Sequence, residues 1–273
     1  MRSFDVAGLR AHLETFGFVV LNGAVEPDGL ARELDAALRD SGATTRGVDT
    51  GGGEATVRYV PMMCDRTPRS LALLVELGSL AAALLGRPTL PIRAKGMRYS
   101  GDTPWHVDSH RTQVSLGFLA YLDPLDASNG ALRVLPGSHR GDFRDAALGY
   151  LAAVGTGAPA GALPGVALAT APGDVIVMDE RLLHASAGGG ERRQWRVDFV
   201  ADPASQEEEA EVRALLDQTF PPDWDGGYDA DAFPSYGDDW RRAGGAAVER
   251  LDALGAPTRA AIQEEFMRRR RPR

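Results

Sequence analysis

The spacing of apolar positions changes twice along the chain. From residue 1 to about 89 it is mainly helical. Asp5 to Glu14 predicts a helix, and the apolar run Phe16 to Leu21 a strand. Glu26-Pro27-Asp28 opens a second helix, to about Arg39, with acids at its positive end. Residues 42–54, rich in Gly and Thr around Gly51-Gly52-Gly53, predict a mobile loop whose glycines would let it hinge as a lid. Arg69 to Leu85 predicts a third helix, stopped by Gly86 with Pro88 just beyond.

From 90 to 202, short apolar or alternating runs recur between turn signals: Pro91–Tyr99, Thr112–Leu122, Ala131–Leu135, Val166–Ala169, Val175–Met178 and Gln194–Val200. Short strands at this spacing predict a β sandwich, jelly roll or barrel, interrupted by an Ala/Gly-rich insertion at 141–163. From 203 to 273 helical patterns return at Gln206–Phe220, Val248–Leu254 and Thr258–Arg270. Between them lies an acidic, aromatic stretch with Trp224, Tyr228, Phe233, Tyr236 and Trp240, readable as a lid, a packing module or a dimer contact. The expectation is one domain: a mainly helical stretch over residues 1–89, a β core over 90–202 and a helical extension over 203–273.

Composition then narrows the chemistry. The chain has 273 residues, 44% hydrophobic, and a net charge of -8, which argues against nucleic-acid or anionic-membrane partners. No leader-like segment and no stretch of about 18–20 apolar residues stands out, so a soluble cytoplasmic protein, monomer or homodimer, with a small-molecule substrate is expected. One cysteine, Cys64, leaves no internal disulfide and no cysteine-based metal site. A transition metal would need imidazole and carboxylate. Of the histidines, His12 reads as surface and His139 as a turn hydrogen-bonder, while Cys64 reads as buried and inert. The Arg268–Arg271 run reads as a solvated helix end.

Trp105-His106-Val107-Asp108 lies between two strand-like stretches, and in extended backbone residues i and i+2 share a face. The pair alone is weak evidence. Support comes from Pro172-Gly173-Asp174, a turn that launches the apolar run Val175–Met178 and delivers His184. Two histidines and a carboxylate from separate strands make the facial arrangement of non-haem Fe(II) oxygenases, with three positions open. His110, four residues from His106, is read as a rim or surface residue, because Pro104 and the following β-rich run disfavour a helix there.

Asn129-Gly130-Ala-Leu-Arg-Val-Leu135-Pro-Gly-Ser-His-Arg140, with the Pro-Gly-Asp turn, the second histidine and a following arginine, resembles the phytanoyl-CoA dioxygenase family over residues 90–200. The resemblance implies an α+β fold, a double-stranded β-helix (jelly roll, cupin-like) with flanking α-helices. It also implies Fe(II), with 2-oxoglutarate and O2 as co-substrates. His106, Asp108 and His184 would ligate the iron and act catalytically through it. Arg196 would grip the distal carboxylate of 2-oxoglutarate, although it sits twelve residues after His184 where eleven is usual. Ser186 resembles a position whose hydroxyl helps.

Arg193 is the competing arginine. Strand parity puts it on the face of Trp195, Val197 and Phe199, which should pack outward, while Arg196 shares the polar face with Gln194 and Asp198. Arg98, Trp105, Arg111 and Gln113 are candidate substrate contacts by proximity to the metal motif. Lys95, the one lysine, has the opposite parity to Arg98. In related halogenases a small residue replaces the Asp108 carboxylate, which disfavours halogenation here. The expected reaction is hydroxylation, desaturation or cyclisation at an unactivated C–H of a small molecule, in specialised metabolism, with release of succinate and CO2. The alternative is a non-oxidative, metal-binding jelly roll: a cupin-like isomerase or small-molecule-binding module.

Overall fold

The computed structural model describes residues 4–49, 54–155, 158–219, 227–256 and 261. Helix α1 (Val6–Phe16) is capped by the Asp5 carboxylate, which accepts from the Gly8 amide. It leads into β1 (Phe18–Leu21). In α2 (Pro27–Asp40) the Glu26 carboxylate accepts from the Asp28 and Gly29 amides, satisfying donors that a helix start leaves free. The predicted loop is partly a hairpin, β2 (Arg46–Asp49) with β3 (Glu54–Pro61), residues 50–53 lying outside the described residues. Ala55, Val57 and Tyr59 alternate inward, a strand signal short enough to be read through as loop.

Helix α3 (Pro68–Leu85) ends at Gly86 in the left-handed conformation. By length and composition it could cross a membrane, contrary to the sequence expectation that no segment qualifies. Here it packs on the β sheet and on α1, with Leu74, Leu77, Leu80, Ala81 and Leu84 buried.

The remaining strands are β4 (Thr89–Ser100), β5 (Thr103–His106), β6 (Ser115–Tyr121), β7 (Leu132–Val134), β8 (Val166–Ala167), β9 (Val175–Asp179), β10 (His184–Ser186) and β11 (Arg192–Ala201). Helix α4 (Gly141–Val154) fills most of the expected insertion, and α5 (Gln206–Thr219), α6 (Asp238–Gly244) and α7 (Ala246–Ala253) follow β11. A seven-stranded sheet runs β1-β9-β6-β11-β4-β3-β2 and faces a four-stranded one, β5-β10-β7-β8. All the pairings are antiparallel. This is the jelly-roll architecture with flanking helices.

The apolar run of β9 is buried on both faces. Val175 and Val177 join the cluster beneath the helices, while Ile176 and Met178 join the one between the sheets. On β11, Trp195 turns toward α3 and donates from Nε1 to Ser70 Oγ at 2.8 Å, so its burial leaves no donor unpaired. Tyr228, Phe233, Tyr236 and Trp240 are buried in the main core, and the Tyr236 hydroxyl donates to the Ile92 carbonyl at 2.5 Å. They are packing, not a lid. Trp224, the predicted helix at 258–270 apart from residue 261, and Arg268–Arg271 lie outside the described residues.

Candidate active site

The minor sheet builds the metal face. His106 on β5 and His184 on β10 are register partners, so both rings leave the same side, their centroids 4.2 Å apart. Asp108 follows β5, and its Oδ1 lies 3.6 Å from Nε2 of each histidine. One ligand atom from each residue falls within 4.8 Å of the others. The Nδ1 atoms face backbone carbonyls, Pro104 for His106 and Leu182 for His184, each at 2.9 Å. That places the proton on Nδ1 and leaves both Nε2 lone pairs free for a cation, the tautomer a metal site needs.

Burial, helped by the neighbouring His106, pushes His184 down to about 4, so it is neutral near pH 7. Burial opposes the charge on Asp108, yet Arg196 and both histidines hold its carboxyl well below the usual range. For His106 burial works against protonation, and hydrogen bonding to Asp108 outweighs it and raises the value. Two imidazole nitrogens and one carboxylate oxygen are a donor set suited to iron, which would displace any proton held on His106 Nε2.

The shared motifs hold this face in place. Val134 of β7 pairs with His184, and in the Pro-Gly-Ser-His turn Ser138 Oγ accepts from the Leu183 amide at 2.9 Å. Asp174 closes its turn by accepting from the Ala171 amide at 2.9 Å and the Gly23 amide at 2.8 Å. His139 bonds the Glu14 carbonyl through Nε2 at 3.2 Å, and His12 packs against Phe16 and Phe18. Cys64 is buried.

A cavity of about 100 Å³ opens from the metal face and is lined by Tyr99, Thr103, Tyr121, Ser186, Arg192 and Gln194 among others. Arg196 also reaches it, as strand parity predicts. Its guanidinium, however, is engaged by three carboxylates: Asp108 through Nη1 at 2.6 Å, Glu180 through Nη2 and Asp198 through Nε. Each of its three nitrogens is thus already paired with a carboxylate. Arg193 is on the outer face, paired with Asp123 and Asp35.

Arg192, which the spacing from His184 passes over, lines the same cavity. It is buried, donates from Nη2 to Ser186 Oγ at 2.9 Å, and packs over the Tyr99 ring. It also donates from Nη1 to the Gly101 and Gly190 carbonyls. Parity points to it as well, since Arg192, Gln194 and Arg196 alternate along one face of β11.

The four substrate candidates do not line this cavity. Arg98 faces α2 and pairs with Asp35 and Glu191, because odd-numbered Lys95 and Tyr99, not Arg98, share the face of Arg196 and Arg192. Trp105 is buried on the far side of the minor sheet, its Nε1 donating to the Ala160 carbonyl at 3.1 Å. Gln113 donates to the Ala201 carbonyl at 2.7 Å. Arg111 donates to the Ala214 carbonyl at 2.9 Å, fastening its loop to α5. It borders a second cavity, of about 460 Å³, shared by Asp108, Ser109, His110, Thr112, Glu211 and Leu215.

A jelly roll with this two-histidine, one-carboxylate face defines the class of metal-dependent, cupin-like oxygenases. The sequence profile of the phytanoyl-CoA dioxygenase (PhyH) family matches residues 13–194, and the chain belongs to that family. The His106–Asp108–His184 face is suited to hold a metal ion such as iron. Among solved structures, AviO1 from Streptomyces viridochromogenes Tue57 is 24% identical, with a TM-score of 0.56 over 75% of this chain and 98% of that one. The non-heme alpha ketoglutarate dependent epimerase SnoN from nogalamycin biosynthesis is 19% identical, with a TM-score of 0.58 over 75% and 86%. EctD from S. alaskensis with bound Fe is 23% identical, with a TM-score of 0.53 over 74% and 79%. These likenesses concern the fold. Among curated proteins, no sequence matches the chain.

Proposed function

We propose that this oxygenase hydroxylates a C–H bond of a small organic substrate in specialised metabolism, consuming O2 and converting 2-oxoglutarate to succinate and CO2. The observation that supports this reading is the metal face and Arg192 in one cavity. Arg192 is a buried guanidinium with no carboxylate partner among the described residues, an arrangement that is costly unless an anion completes it. The distal carboxylate of 2-oxoglutarate is that anion.

When bound, iron supplies the O2 activation that couples decarboxylation of the co-acid to oxidation of the substrate. His106 and His184 offer Nε2, and Asp108 offers Oδ1. The Ser186 hydroxyl accepts from Arg192, so its own proton is free to donate to the distal carboxylate beside the guanidinium fork. Leu119 and Leu132 give the cavity apolar walls. The substrate takes the second cavity, which shares Asp108 with the first and is bordered by His110 and Arg111.

Structural relatives named as an epimerase and a carbocyclase indicate that this fold hosts oxidations other than hydroxylation, so product mass is the deciding readout. Gain of one oxygen supports hydroxylation; loss of two hydrogens points to desaturation or cyclisation. The reaction class is tested by adding Fe(II) and 2-oxoglutarate without O2, which should raise a weak visible charge-transfer band. On admitting O2, succinate should form, and His106→Ala should abolish it. Metal binding without a band or succinate would instead fit a non-oxidative jelly roll.

A further inference from the structure

Asp108 is gripped from two sides by residues that the metal does not need as ligands. Its two oxygens have different neighbours. Oδ1 is 3.6 Å from both imidazoles, whereas Oδ2 is 2.6 Å from Arg196 Nη1. Arg196 cannot readily let go, because its other nitrogens are held by Glu180 and Asp198 and its side chain is 7% exposed. Gly117 on the adjacent strand makes room for it: a Cβ there would lie 2.9 Å from Nη2.

Glu180 acts on Asp108 a second way. Its carbonyl accepts from the amides of both Asp108 and Ser109, each at 2.9 Å, and its own amide donates to the Ser115 carbonyl at 3.1 Å. Its second carboxylate oxygen accepts from Ser115 Oγ at 2.6 Å. One residue thus fixes the backbone of the ligand loop and, through Arg196, the carboxylate it carries. Behind them Arg93 pairs with Asp198 at 2.7 Å, and Lys95 lies 3.9 Å from the same carboxylate. The cluster formally balances three cations (Arg93, Lys95, Arg196) with three carboxylates (Asp108, Glu180, Asp198). Arg196 is therefore compensated by Glu180 and Asp198 as well as by Asp108, and does not need to draw Asp108 away from a metal.

We propose that Glu180 and Arg196 are positioning residues that make Asp108 a one-oxygen ligand, preserving the metal's third open position. A carboxylate free at both oxygens can chelate, and chelation here would occupy a position that 2-oxoglutarate and O2 together require. The inference rests on the metal site of the proposed function, but not on its co-acid.

The test uses Mn(II) alone with the full chain, measuring affinity and the number of metal-bound waters by water-proton relaxation. The wild type should carry three waters. In Arg196→Met, Asp108 is released to chelate, and the enhancement per bound ion should fall by about one third, from three waters to two. Arg196→Lys, which keeps a donor and a charge, should restore it. An unchanged enhancement in Arg196→Met would overturn the proposal.

Where Arg196→Met does not fold, Glu180→Gln decides. It keeps size and most hydrogen bonds while leaving Arg196 less compensated, so Mn(II) affinity should fall about tenfold. Unchanged affinity would overturn the positioning role. Succinate formation plays no role in this measurement. A protein that binds Mn(II) as expected but makes no succinate fails the functional reading alone.

Discussion

Arg192 and Arg196 sit four residues apart on β11 and turn to the same cavity, yet they live in opposite surroundings. Arg196 meets three carboxylates, and these interactions, chiefly with Asp198, Asp108 and Glu180, outweigh burial and raise its pKa well above the usual value. Arg192 meets a hydroxyl, two carbonyls and an aromatic face. The same side chain on the same strand face is a structural cation in one place and, under the proposed function, an anion receptor in the other. The difference lies in what has already neutralised it. A guanidinium neutralised by carboxylates contributes to the fold, and one without a counter-ion among the described residues is open to an anion.

The contrast can be broken most forcefully at Arg196. Arg196→Met leaves Asp108 and Glu180 without their guanidinium partner and Asp198 with Arg93 and Lys95 alone, and should cost about 4 kcal/mol in urea denaturation. The same substitution at Arg192 removes a charge that has no protein counter-ion, and should leave stability equal or higher. Its effect should fall on 2-oxoglutarate, with affinity down roughly a hundredfold, about 3 kcal/mol, while metal affinity is kept; calorimetric titration reads both.

Lys95 sharpens the comparison through pH. Burial, reinforced by Arg93 and Arg196, lowers its pKa from 10.5 to about 7. The folded value lies below the unfolded one, so as pH falls the unfolded chain takes up the proton first. Stability from this residue should therefore decline from about pH 10.5 to about pH 7. Denaturation at pH 9.5 and pH 7 should differ by on the order of 2 kcal/mol more in the wild type than in Lys95→Met. The smallest effect belongs to Ser186→Ala, which removes one hydroxyl from the acid grip and should weaken 2-oxoglutarate binding roughly fivefold, about 1 kcal/mol.

The metal face is readable from sequence because its signals are local. His106 and Asp108 sit at strand spacing, and His184 follows a Pro-Gly turn and an unbroken apolar run. The face of β11 is also readable from alternation, with Trp195 under α3 and Arg196 toward the cavity. Counting an arginine from His184 favours Arg196 and passes over Arg192. The loop through Gly188-Gly189-Gly190 turns tightly: Gly188 takes a φ of 76°, and a Cβ on Gly189 would lie 2.4 Å from the Gly101 carbonyl.

Other features lack a local signal. Strands β5 and β10 have 4 and 3 residues, too few for periodicity, and are defined by pairing with each other. Helix α4 leaves Phe143, Tyr150 and Val154 exposed, so its apolar pattern marks no clean buried stripe. Tyr228, Phe233, Tyr236 and Trp240 could cover a mouth or fill a core, and only their tertiary partners distinguish the two. Glu180 carries no motif, since its role comes from three separate strands meeting at one loop.

Under the proposed function, the cavity that spans from the metal face to Arg192 is completed by a dicarboxylate. The direct measurement compares O2-dependent decarboxylation of 2-oxoglutarate with that of 2-oxobutyrate, which keeps the metal-binding oxo-acid and lacks the distal carboxylate. Wild-type protein should prefer 2-oxoglutarate by roughly a hundredfold in kcat/KM, and Arg192→Met should lose that preference. Full discrimination retained in Arg192→Met would contradict the account.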